Sequence, residues 1–351
     1  MSGSCALDKN QLAALGMRAA WRIAPHLPEP VVYALSHRAA DLMPLLTPDK
    51  VRTYRANLQA AWPNAHEGMI VRWVRDGLRA HMRYYADLFR LDAWTPAEFR
   101  DRVRTRGIAV CHRALAEQKP VIFALGHVGN WDVAAAWAGH FLTPVSAVAE
   151  RLSPPELFDA FVRHRARHGV HIVGLDHGFR IVRLLVGEPG RIRAVCLLFD
   201  RDLTGDGIET PYMGGYTRMA PGPAALTIAA GAALVFAGIS SFSAPYATKT
   251  LSGRYRLRRR WCALIEFAEV DERIDGDSCD HNGGKSNSER RDECGNDAGS
   301  ESRGRVPRTR VQALTRELAR RAERHVRTHP TDWHLLVPVH DARLAERMTT
   351  R

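Results

Sequence analysis

Residues 121–132 read VIFALGHVGNWD and set an imidazole, His127, five positions before a carboxylate, Asp132. A carboxylate beside an imidazole fixes its tautomer and favours its protonated form, which suits the histidine to general-base work near neutral pH. Five residues on one ideal helix amount to about 140° of rotation, so the two side chains could not leave the same helix face. The pair becomes chemically useful if His127 lies in a loop and Asp132 in the first turn of the helix after it. Gly126 and Gly129 allow a tight loop there, and Asn130 is placed to cap that helix. Taken alone, the segment also reads as a loop histidine followed by a capping aspartate.

The elements around it must hold that loop. From 120 to 270 short apolar runs alternate with helical segments: VIFAL (121–125), PVSAV (144–148), HIVGL (171–175), AVCLLF (194–199) and ALVFAGI (233–239). Between them lie helix candidates at 132–140, 153–168, 178–187 and 221–231. Alternation of this kind predicts an α/β fold with a mostly parallel central sheet flanked by helices. In such sheets ligands bind beyond the carboxyl ends of the strands, where His127 is placed. Tyr255, Leu257, Arg259 and Trp261 continue as a strand near a sheet edge, with Arg256, Arg258 and Arg260 on a solvated face. Residues 11–100 carry helical spacing, as in Leu12, Leu15, Ala19 and Ile23 and again from Met69 to Phe89. The four regions form a single expected domain: a helical N-terminal region (11–100), an α/β core (120–270), a polar disordered insertion (271–304) and a C-terminal helix and tail (305–351).

The chain has 351 residues and a formal net charge of +12, with forty-five arginines against five lysines. That length supplies a full core, and the composition excludes a disulfide mini-scaffold and global disorder. The charge is uneven. Residues 271–304 hold ten acids and five bases, whereas 305–327 hold eight arginines against two glutamates. An excess of this size points to anionic partners: nucleic acid, membrane lipid or a phosphorylated ligand. No nucleic-acid module accompanies it, so nucleic acid is not expected. The six cysteines show no CxxC spacing, and Cys196, inside an apolar run, is expected to be a buried reduced thiol. Met219–Thr248 is uncharged, but three prolines and three glycines divide it into a buried helix and a strand rather than a membrane span. The N-terminus shows no secretion-signal pattern. No metal is expected: DRDLTGDG opens like a calcium loop, but its twelfth position is Pro211, and Cys279, His281 and Cys294 lie in the polar insertion. There is no GxSxG, HExxH, Walker or GxGxxG pattern.

HVGNWD at a strand end is followed by AVAERLSPPELFDAFVRHRARHG, DRDLTGDGIETPYMGG and TRMAPGPAALTIAAGA. RANLQ (55–59) and MRYYADLFRL (82–91) precede it, and THPTDWHLL lies near the end. These blocks, in this order, resemble the lipid A/lysophospholipid acyltransferase superfamily, and within it the phosphatidylinositol mannoside acyltransferases. The resemblance implies His127 as general base, Asp132 as its orienting acid and Asp200 as an acid assisting the histidine. It implies that Glu150 and Arg165 line the donor and acceptor pockets, with a capping role and a solvated helix face as their competing readings. Arg201 and Arg218 have the planar fork that suits phosphate on an anionic substrate, or are surface arginines.

The implied activity is transfer of a long fatty acyl group from acyl-CoA, a co-substrate rather than a cofactor, to a mannose hydroxyl of an inositol glycolipid. The expected partners are acyl-CoA, that acceptor and an anionic membrane surface, with a peripheral location on the cytoplasmic face of the plasma membrane. The alternatives are acylation of another glycolipid or a lysophospholipid, and a non-catalytic lipid binder of the same fold.

Overall fold

The computed structural model describes residues 9–149, 155–174, 194–203, 205–249, 255–271, 307–341 and 344. The expected helix at 178–187 and all but the first residue of the 271–304 segment lie outside them.

Helical periodicity in the N-terminal third gives α1 (Lys9–Ile23), α2 (Glu29–Leu46), α3 (Pro48–Ala61), α4 (Glu67–Arg90) and α5 (Pro96–Arg102). Their starts follow local chemistry. Proline stands in the first turn of α2, α3 and α5, where its missing N–H costs nothing. At α5, Thr95 and Glu98 satisfy each other's backbone amides in a capping box.

A seven-stranded sheet follows: β1 (Val103–Arg106), β2 (Val121–Leu125), β3 (Val145–Ala149), β4 (Val170–Gly174), β5 (Ala194–Leu198), β8 (Ala233–Lys249) and β9 (Tyr255–Glu269), in the order β1-β9-β8-β2-β5-β3-β4. Every pairing is parallel except β8 with β9. A separate hairpin joins β6 (Ile208–Tyr212) to β7 (Gly215–Met219). The remaining helices are α6 (Ala109–Ala116), α7 (Trp131–Phe141), α8 (Pro155–Arg167), α9 (Gly222–Ala230) and α10 (Arg308–Thr328).

All five residues of β2 are buried because both sheet faces are covered. Ile122 and Ala124 point into a core with Leu58, Ile70, Leu78, Leu226 and Leu318. Val121, Phe123 and Leu125 point into the opposite core with Phe99, Cys111, Val133 and Ala134. Each fully buried side chain of this size stabilises the fold by roughly 1.5–3 kcal/mol.

The α/β expectation holds, and the uncharged stretch divides as expected into α9 and β8, with Gly231 ending the helix in the left-handed region. Among the described residues no helix is long and apolar enough to cross a membrane. The position near a sheet edge is as expected: β9 is second from the end of the sheet, and β1, whose sequence VRTR is too short and polar to register as a strand, pairs only with Ala263–Glu266, leaving 255–262 paired with β8 alone among the described residues. On β9, Arg258 is exposed, whereas Arg260 stacks over the Tyr246 ring at 4.1 Å rather than being simply solvated.

Candidate active site

β2 and β5 are neighbours in parallel, with Leu125 opposite Leu198. The ladder extends one step further, where Phe199 N donates to Leu125 O at 3.1 Å. His127 and Asp200 each stand two residues past those paired leucines, so equal loop lengths bring them side by side at the carboxyl end of the sheet. Asp200 is 1% exposed. One of its oxygens accepts from the His127 backbone N–H at 2.6 Å, and the other lies 2.6 Å from His127 Nδ1. A carboxylate in this position can accept from Nδ1–H, the arrangement that leaves the lone pair on Nε2. Gly126 permits this approach, since a Cβ there would sit 3.3 Å from Asp200 Oδ2.

Asp132 lies in the first turn of α7 as expected, with Asn130 Oδ1 capping Val133 N at 3.1 Å. Its carboxylate makes its hydrogen bonds elsewhere, not with the imidazole. Arg165 of α8 takes it in a fork, Nε to Oδ1 at 2.6 Å and Nη2 to Oδ2 at 3.1 Å, and the Tyr84 hydroxyl donates to it as well. Burial alone would raise the Asp132 pKa, but the Arg165 guanidinium outweighs it and holds the carboxyl below the usual range. The same partnership keeps Arg165 charged although burial opposes its charge. Asp132 thus ties α7 to α8 and α4, and the partner of the histidine comes from 73 residues along the chain.

His127, Trp131, Asp132, Arg165 and Arg201 line one cavity of about 320 Å³. Its remaining wall is apolar: Phe123 and Phe267 from the sheet, Phe158 and Phe161 from α8, and Ala134, Ala135 and Ala138 from α7. The small residues of α7 leave a gap between helix and sheet that larger side chains would fill. The volume falls at the lower end of the range for ligand sites, about 300–1,000 Å³. Cys196 also faces this space, and burial pushes its thiol up to about 12, so it is an uncharged lining group.

Arg218 does not join this group. It lies on β7 and is engaged by Glu209 at 3.4 Å, Asp341 at 3.7 Å and Gly205 O at 3.1 Å, because the β6–β7 hairpin places it away from the cavity. Glu150 lies outside the described residues.

A clamp on the histidine loop was not read from the sequence. The C-terminal stretch THPTDWHLL lies antiparallel along it: Gly129 N donates to Asp332 O and His334 N donates to His127 O, both at 2.8 Å. Gly129 is required here. Its φ is +65°, and a Cβ would meet Ile239 O at 2.3 Å. Asp332 is held in turn by Ser241, through N at 3.0 Å and Oγ at 2.5 Å. Asn57, within RANLQ, bonds Leu335 O, Val337 O and Val339 N at 2.9, 2.8 and 3.2 Å. The signal available was the presence of polar Asn57 and Asp332 inside otherwise apolar or helical blocks.

The family profile described as bacterial lipid A biosynthesis acyltransferase matches residues 8–246. A phosphatidylinositol mannoside acyltransferase of Mycolicibacterium smegmatis is 31% identical over 226 residues, covering 64% of this chain and 73% of the relative. Proteins of the same name from two strains of Mycobacterium tuberculosis are 30% identical over 278 residues, covering 77% of this chain and 70% of each relative. With that match spanning more than half its length, the chain belongs to the bacterial lipid A biosynthesis acyltransferase family and is an acyltransferase.

Proposed function

We propose that this acyltransferase moves a long fatty acyl group from acyl-CoA to a mannose hydroxyl of a phosphatidylinositol mannoside, with His127 as general base. The observation that carries the reading is the His127–Asp200 pair beside an apolar cavity of about 320 Å³. With Nδ1–H held by Asp200, Nε2 takes the proton of the acceptor hydroxyl as its oxygen attacks the thioester carbonyl carbon. Asp200 stabilises the imidazolium that forms. The tetrahedral intermediate then collapses, the C–S bond breaks, and the imidazolium returns its proton to the CoA thiolate as the ester is completed. Amides at the start of α7, or Arg165, would stabilise the oxyanion. Asp132 positions Arg165 and α7 rather than the imidazole. Arg201, exposed at the cavity, suits the phosphates of the donor or acceptor.

Both substrates reside at a membrane surface, and α2 supports a peripheral position there. Val31, Leu35, Leu42 and Leu45 recur at three- and four-residue intervals with Arg38, all exposed on one face, and Leu45 and Leu46 are 78% and 73% exposed. We assign the protein to the cytoplasmic face of the plasma membrane, where acyl-CoA is supplied. The test is incubation of purified protein with labelled palmitoyl-CoA and a panel of mannosylated and plain phospholipids. Label on a mannosylated inositol lipid is expected. Label confined to lysophospholipids, or to none of the mannosylated acceptors, overturns the acceptor assignment.

A further inference from the structure

A second cluster of ionisable side chains lies outside the acyl-transfer machinery. His164 on α8 and His168 just past its end stand four residues apart, one helical turn, and are 3% and 6% exposed. Facing them is Asp92, in the short turn that ends α4. Asp92 Oδ1 lies 3.3 Å from His164 Nδ1 and 3.0 Å from His168 Nε2. All three donor atoms fall within 4.8 Å of one another. A tetrahedral zinc site with bonds of about 2.0–2.1 Å has neighbouring donors about 3.3 Å apart. The two separations from Asp92 Oδ1, 3.3 and 3.0 Å, match that edge.

Three further observations point to a ligand. Neither ring nitrogen of the buried His164 completes a well-aligned hydrogen bond: Nδ1 makes only the 3.3 Å contact with Asp92, and Nε2 is without a partner among the described residues. A buried, unpartnered imidazole costs free energy unless something else takes its lone pair. The other donors already carry the outer partners that metal ligands use. His168 Nδ1 lies 3.2 Å from His140 Nε2, which fixes the ring with Nε2 toward Asp92. Asp92 Oδ2 accepts from Arg167 Nη1 at 2.6 Å, leaving Oδ1 for the cluster.

We propose that Asp92, His164 and His168 form a zinc-binding site, with one position left open to water, that joins α8 to the end of α4. Two imidazoles and one carboxylate are a donor set that zinc accepts, with water completing the tetrahedron. The fastening matters because α8 also carries Phe158, Phe161 and Arg165, which wall the acyl cavity. The Trp21 ring, 5.4 Å from His164, would join α1 to the same anchor.

The test uses the full chain, stripped with a chelator and titrated with Zn²⁺ alone, with bound metal measured by elemental analysis and melting followed in parallel. One tight equivalent per chain is expected, with a rise in melting temperature of at least about 2 °C at a hundredfold excess over Kd. Both responses should vanish in His164→Gln/His168→Gln and in Asp92→Asn. They should persist in His329→Gln, which alters a second His/Glu cluster, and in Cys279→Ser/His281→Gln/Cys294→Ser. Asp92 is the least buried ligand, so its variant decides the matter if the double histidine variant does not fold. In the wild type, Co²⁺ should give the intense visible bands of a tetrahedral nitrogen–oxygen site. The proposal is overturned by absence of tight binding, by an equivalent that survives Asp92→Asn, or by a thiolate-to-cobalt charge-transfer band.

Discussion

Replacing Asp200 with asparagine separates the two carboxylates of this site by function. The substitution keeps shape, and the oxygen of the new side-chain amide can still accept from the His127 backbone N–H. The charge facing Nδ1 is lost. A hydrogen bond to a charged group contributes about 1.5–3 kcal/mol, so loss of the ring contact alone should lower kcat about 10–150-fold. The asparagine NH₂ can also donate to Nδ1, which stabilises the tautomer with its hydrogen on Nε2. That tautomer cannot take the acceptor's proton, and such an error behind a buried carboxylate costs up to about 10⁴-fold. The expected fall in kcat for Asp200→Asn is therefore about 10²–10⁴, with KM for palmitoyl-CoA little changed. Asp132→Asn should behave differently. It leaves the Arg165 guanidinium unpaired in a buried place, which costs about 3–5 kcal/mol of stability. The surviving folded enzyme should keep the wild-type pH profile. Initial rates of labelled palmitoyl transfer across about pH 5–9, with melting curves for each variant, read both effects. If Asp200→Asn stayed within tenfold of wild type while Asp132→Asn erased the histidine's titration from the pH profile, the assignment of the imidazole partner would be wrong.

Other outcomes follow from the same packing. Ala138→Phe narrows the gap between α7 and the sheet, so transfer from palmitoyl-CoA should fall about tenfold or more, in line with the 1–3 kcal/mol of overpacking, while acetyl-CoA is spared. Equal losses for both donors in a kinetic comparison would count against the cavity as the acyl site. Asn57→Ala removes three hydrogen bonds to the C-terminal clamp and should cost about 3 kcal/mol, seen in calorimetry as a melting point lower by roughly 4 °C. An unchanged melting point would show that the clamp is held by other contacts. Burial, helped by the Lys50 charge, lowers His81 to about 4, so below its unfolded pKa near 6.5 the unfolded chain binds a proton that the folded chain does not. Stability should then fall as pH drops from about 6.5 to 4, by up to roughly 3 kcal/mol from this residue, and urea titrations of His81→Gln should show a shallower fall. Parallel pH dependences for the two proteins would contradict the burial of that ring.

The catalytic strand was legible because VIFAL is apolar, ends at a glycine and precedes a helix-capping asparagine, all local signals. So was AVCLLF, whose final residues lead into Asp200. What the sequence could not supply was the strand order. Asp132 is the acid nearest His127 in the chain, yet the adjacency of β2 and β5 decides which carboxylate reaches the imidazole. The outer half of β8 was missed for a related reason, although its partner on β9 was read as a strand. Past Gly238 the strand continues as ISSFSAPYATK, and its outer residues pair only with β9, so no alternating burial marks it. Arg218 had the right chemistry for phosphate, but it is engaged by Glu209 across the β6–β7 hairpin and by Asp341, 123 residues further along the chain. The clamp of Asn57 and Asp332 on the histidine loop spans most of the chain and leaves no periodic trace.

The most direct test of the chemistry is acyl transfer by wild type and His127→Ala from labelled palmitoyl-CoA to a purified phosphatidylinositol mannoside in vesicles. Folding of both should be checked by melting, and donor binding by retention of the labelled substrate. A general base of this kind contributes about 10²–10⁴-fold, so the wild type should acylate the mannolipid while the variant binds palmitoyl-CoA and turns over at least about a hundredfold more slowly. Full transfer by a folded His127→Ala protein would contradict the assignment of His127 as the base.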